Sequence, residues 1–166
     1  MSISIDYIAD IGWQKYMGDG CYSFGYINSY KKAGDILIEK KIPDLLIYPI
    51  MFCYRQYLEL LLKNVYMQNS TEEEYKNFVN SVSHNISDSW NYVKPILKNQ
   101  ISDKKVAYIE KVIYSFNELD PSSFTFRYEY DKKMNRNIDD RRIDTKKVKK
   151  CIGRIDDILR YTYDSE

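Results

Sequence analysis

From Asp44 to Gln68 the chain carries apolar residues at helical spacing for longer than anywhere else in its 166 residues. Ile47, Ile50 or Met51, Tyr54, Leu58, Leu61 and Val65 recur at steps of three and four, which puts them on one face of a helix. Arg55, Glu59 and Lys63 share a second face, each four residues from the next. A helix this apolar must be wrapped by others, so the stretch predicts the central member of a helical bundle.

The flanking segments read as its partners. Cys21 to Lys40 predicts a first helix with Phe24, Ile27, Ala33, Leu37 and Ile38 inward, and Asp44 is placed to cap the central helix. Pro49 removes a backbone donor early in that helix and predicts a bend. Ser70 with Glu73, or Thr71 with Glu74, fits a capping box before a short helix. A helix entered near Asn85 buries Ile86, Trp90, Val93 and Leu97, and one capped by Ser102 runs to Asp120-Pro121. The final helix spans Thr145 to Tyr163. Between them, Phe124, Phe126, Tyr128 and Tyr130 alternate with polar residues, which predicts a short extended aromatic strap across the bundle. The expectation is one all-α domain over 1–166, an up-down bundle of four to five helices. Residues 1–20 form a weakly patterned lead-in with Trp13 capping the bundle, and 131–144 form a polar loop.

Composition excludes several classes. Three cysteines with no Cys-x-x-Cys and a single histidine leave too few soft ligands for a zinc site, so neither metal nor cofactor is expected. No leader pattern opens the chain, and charges interrupt its apolar runs, so a soluble cytoplasmic protein without membrane contact is expected. Between Asp131 and Arg154, ten Lys/Arg face four Asp/Glu, a balance of +6 in a chain of net +1. Such asymmetry suits either a solvated surface or a face turned to anions. The 17 tyrosines fit core or half-buried positions and are not by themselves a nucleic-acid signal.

Chemistry narrows to a few side chains. His84 is the one group with an unperturbed pKa near neutrality, and Asp88 lies four residues on. The two either organise a helix start or pair as base and orienter. Arg55 and Glu59 lie in the most buried helix, where a guanidinium needs a specific partner. Arg127 sits among aromatic residues. Arg55, His84 and Arg127, with Glu59 and Asp88, either converge on a pocket for an anion such as a nucleotide phosphate, or satisfy one another internally.

Two blocks, Tyr54-Arg-Gln-Tyr-Leu-Glu-Leu-Leu-Leu-Lys63 and His84-Asn-Ile-Ser-Asp-Ser-Trp90, resemble the HEPN superfamily, as does Ser123-Phe-Thr-Phe-Arg-Tyr-Glu-Tyr-Asp131. The resemblance covers about 47–131. It implies an all-α bundle, frequent homodimers and a place in prokaryotic toxin–antitoxin or defence systems, as ribonuclease or as non-catalytic binding module. The ribonuclease members use an Arg-polar-x-x-x-His signature on a late helix. Here Arg136-Asn-Ile-Asp-Asp-Arg141 has that outline with arginine in the histidine position. A guanidinium stays protonated and cannot serve as a general base. The expectation is therefore a non-catalytic module binding nucleotide, RNA or a partner protein. The alternatives are a divergent metal-independent ribonuclease using Arg55, His84 and Arg127, and a structural or antagonist interaction module.

Overall fold

The computed structural model describes residues 9, 11–12, 21–137 and 140–162, and these form an all-α fold. Six α-helices follow in order: α1 (Cys21–Glu39), α2 (Pro43–Met67), α3 (Glu72–Val82), α4 (Ile86–Lys98), α5 (Asp103–Leu119) and α6 (Thr145–Leu159). A single 3-10 turn, Arg160–Thr162, ends the described chain. The count exceeds four to five because α3, only 11 residues long, is a helix in its own right. Trp13 and Tyr163 lie outside the described residues.

The central helix is α2, which packs against α1, α3, α4 and α6, while α5 closes the far side of α4. Ile50, Met51, Tyr54, Leu58, Leu61 and Val65 are buried, and Tyr57 and Leu62 widen that stripe. Half of its most apolar window is enclosed, so a helix long enough to cross a bilayer serves here as the core rod. The α4 stripe (Ile86, Trp90, Val93, Leu97) packs against it, and the α5 stripe (Val106, Ile109, Ile113, Phe116) joins the same core behind α4. From α6 come Ile152, Ile155, Ile158 and Leu159.

Local signals set the boundaries, with two corrections. Thr71 and Glu74 form the full capping box of α3, and the Asn85 side chain accepts the Ser87 and Asp88 amides to cap α4. Asp44 does not cap α2. The helix starts at Pro43, where the missing amide donor costs nothing, and Asp44 falls in the first turn, where its charge suits the helix dipole. Ser102 occupies the N-cap of α5 without a side-chain bond.

The aromatic strap is not extended. Arg127 and Tyr128 both return their amides to the Phe124 carbonyl, which folds the segment into turns. Phe126 is buried, whereas Tyr128 is half exposed and Tyr130 over a third exposed. Alternating aromatics mimicked a strand, but no neighbouring strand among the described residues could complete a ladder. One isolated antiparallel bridge, Tyr130 to Arg136, closes a tight hairpin instead. Asp131 holds it by accepting the Lys133 and Asn135 amides.

Gly34 marks the closest approach of α1 to α2. A Cβ there would lie 2.8 Å from Cε1 of Tyr54. That ring cannot yield, being fully buried with its hydroxyl donating to Asp35 at 2.7 Å. On an open helix Gly→Ala is stabilising by up to about 1 kcal/mol. At Gly34 overpacking reverses the sign, and Gly34→Ala is expected to lower stability by about 1–2 kcal/mol, read as a reduced denaturation midpoint.

Candidate functional site

Arg55, Glu59 and Lys63 line up along the α2 face that meets the α3–α4 turn. Arg55 is fully buried yet has three acceptors. Nη1 donates to Glu59 Oε2 at 3.0 Å, Nε to the Asp120 carbonyl at 3.2 Å, and Nη2 to the His84 carbonyl. Glu59, also buried, receives Lys63 Nζ at 2.7 Å and contacts His84 Nδ1 at 3.0 Å through Oε1. Lys63 also donates to the Ser83 carbonyl at 2.9 Å. Two cations of α2 thus grip consecutive carbonyls of a turn whose Ser83 adopts a left-handed φ of 48°.

Electrostatics make this cluster a knot. Burial alone raises the Glu59 carboxyl pKa, but Lys63, His84 and Arg55 together hold it below the ordinary value. Burial lowers the Arg55 pKa, against the opposing pull of Glu59 and Asp120. Neither group presents surface to a ligand. Of the five side chains singled out from the sequence, the structure brings together Arg55, Glu59 and His84. Asp88 does not meet the imidazole. It is exposed in the first turn of α4, and the ring takes Glu59 as its partner instead. The His84 side chain keeps 61% of its surface open.

Arg127 belongs to a different place. Its Nε donates to the Ser123 carbonyl at 2.5 Å, and its guanidinium lies 5.8 and 5.6 Å from the ring centres of Phe124 and Tyr128. It borders an open cleft of about 980 Å3 between the N-terminal turns of α2, the end of α5 and residues 125–129, 136–137 and 140–143. Arg136, Arg141 and Arg142 line the same cleft, with Tyr48 and Ile47 from α2 and Asn137 from the hairpin. Three acids, Glu118, Glu129 and Asp140, share it. Arg136 meets Glu129 at 4.0 Å and Arg141 meets Glu118 at 3.7 Å, both pairs well exposed. Such exposed pairs contribute little to stability.

Asp120 connects cleft and knot. Its carbonyl accepts Arg55, while its buried Oδ1 accepts the amides of Phe124 at 2.7 Å and Thr125 at 3.0 Å. This fixes the turn from which Phe126 and Arg127 reach the cleft. Asp120 was legible only as a helix terminator. Its second role needs the fold, because Arg55 lies 65 residues away.

A further buried carboxylate escaped the sequence reading. Asp156 of α6 accepts the Tyr57 hydroxyl at 3.0 Å and meets Arg160 at 2.5 Å and Lys31 at 3.6 Å. Its signal was present: Asp156 sits on the Ile152-Ile155-Leu159 stripe, where a charge needs internal partners. Among the described residues no group of histidine, cysteine and carboxylate ligands could hold a metal. The chain matches no protein-family model, no curated protein and no solved structure.

Proposed function

We propose that the chain is a non-catalytic, HEPN-like binding module that holds a phosphate-bearing ligand, a nucleotide or RNA, in the arginine-lined cleft. The carrying observation is the convergence of Arg127, Arg136, Arg141 and Arg142 on one open cleft of ligand size. The basic run continues from Arg142 into exposed Lys146, Lys147 and Lys150 of α6, which enlarges the positive approach surface. The HEPN likeness extends the proposal to a cytoplasmic homodimer in a prokaryotic toxin–antitoxin or defence system. It also leaves room for a partner protein.

Holding fits the geometry better than cleaving. Arg55 has its charge spent on internal acceptors, so it cannot also steady a transition state. One observation favours the ribonuclease alternative: a carboxylate, Glu59, contacts Nδ1 of the exposed His84 side chain, the arrangement of a base with its orienting acid. A single experiment separates the two. Labelled RNA incubated with the protein is expected to bind and remain intact, with affinity falling as salt rises by a log–log slope of about −0.7 per phosphate contact. The R141A/R142A pair is expected to weaken binding at least about tenfold and to flatten that slope. Cleavage of the RNA that His84→Ala abolishes would establish the ribonuclease reading in its place.

A further inference from the structure

Resting on the binding role of this cleft, we infer that its ligand is a single-stranded nucleic acid gripped by its bases, with Tyr128 and Tyr48 as stacking platforms. Both rings are half exposed, at 50% each, in a fold where Tyr54 and Tyr57 are completely enclosed. Both border the arginine-lined cleft, one from the turns that follow Asp120 and one from the second turn of α2. The two rings share the lining of the cleft with Arg127, Arg136, Arg141 and Arg142.

Tyr128 is held ready. Its ring rests against Phe124, with centres 4.3 Å apart and planes 33° apart, and Arg127 lies 5.6 Å from its centre. Its backbone is pinned by Asn137, whose side-chain amide donates to the Tyr128 carbonyl at 2.8 Å. A half-exposed ring backed by a second ring is a preformed seat for a flat partner. Tyr48 is followed by Pro49 in α2, so its backbone is equally constrained. Among the described residues Arg142 makes no ion pair, and Arg136 and Arg141 hold only loose, exposed ones. The chemistry therefore pairs rings for bases with forked cations for the intervening phosphates. A duplex hides its base faces and offers only phosphates, so it uses half of this surface.

The test compares fluorescently labelled single strands of RNA and of DNA with the matching duplex, and with inorganic polyphosphate as competitor. Wild-type protein is expected to bind at least one single strand more tightly than the duplex, with polyphosphate displacing it poorly. Tyr128→Ala and Tyr48→Ala are each expected to weaken single-strand binding by roughly five- to 150-fold, the range of one lost base stack. Tyr128→Phe and Tyr48→Phe keep the ring and are expected to retain binding. Duplex affinity is expected to stay unchanged in all four variants. Equal binding of strand, duplex and polyphosphate, indifferent to the tyrosines, would overturn the inference while leaving the phosphate-binding role intact. No binding of any probe would remove both.

Discussion

Glu59→Gln is expected to lower folding stability by about 3–5 kcal/mol, the range for breaking a buried ion pair on one side. The glutamine fits the same space but leaves the Arg55 guanidinium buried without its counter-charge. It also loosens Lys63 and His84, which share Oε1 in the native protein. The double replacement Arg55→Met/Glu59→Gln is expected to recover part of the loss, since no bare charge remains. Acid supplies the same perturbation reversibly. The native Glu59 pKa lies below the ordinary 4.5, so the pair contributes its full stability above that value. The contribution is lost as pH falls through 4.5 and then through the lower native value. Urea midpoints measured across this range are expected to fall more steeply for wild type than for Glu59→Gln. Parallel acid profiles would contradict the assignment.

Asp120→Ala is expected to be the variant that damages stability and binding together. It strips the Phe124 and Thr125 amides of their acceptor, and bonds to a charged acceptor contribute about 1.5–3 kcal/mol each. The net loss is expected to be smaller than the sum, about 2–3 kcal/mol, because among the described residues Oδ2 of Asp120 is itself buried without a hydrogen-bond partner. Ser123 at φ 60° no longer has a reason to hold its left-handed geometry once those amides are released. The turn then frees Phe126 and Arg127 from their stations at the cleft. RNA affinity is expected to fall at least about tenfold under conditions where circular dichroism shows the helices intact. Unchanged affinity would mean that the turn does not shape the ligand surface.

The helices were legible because burial follows a period that sequence displays. Ile86, Trp90, Val93 and Leu97 can be read directly as one face, and all four are fully buried. The capping box before α3 depends on residues within three positions of each other, so it was legible as one of two registers, whereas the Asn85 cap was legible only as a helix entrance. What failed was long-range or aperiodic. The 124–130 alternation is local, but a strand requires a partner the chain does not provide there. The fate of Arg55 depends on carbonyls at 84 and 120, and no spacing rule points from a guanidinium to a distant backbone oxygen. Arg136, Arg141 and Arg142 lay in what read as a polar loop. Only the folded chain sets them along one cleft with Tyr48, which lies about 90 residues earlier in the sequence.

The proposed function divides the labour: the core arginine, Arg55, ties the bundle, and the rim arginines are the ones expected to meet the ligand. Amide hydrogen exchange, measured with and without a short single-stranded RNA, reads that division directly. Added RNA is expected to slow exchange over 124–137 and 140–143, and at the N-terminal turns of α2 around Tyr48. Residues 54–63 and 83–88 are expected to exchange alike in both states. Protection centred on Arg55, Glu59 and His84, with the rim unchanged, would contradict it.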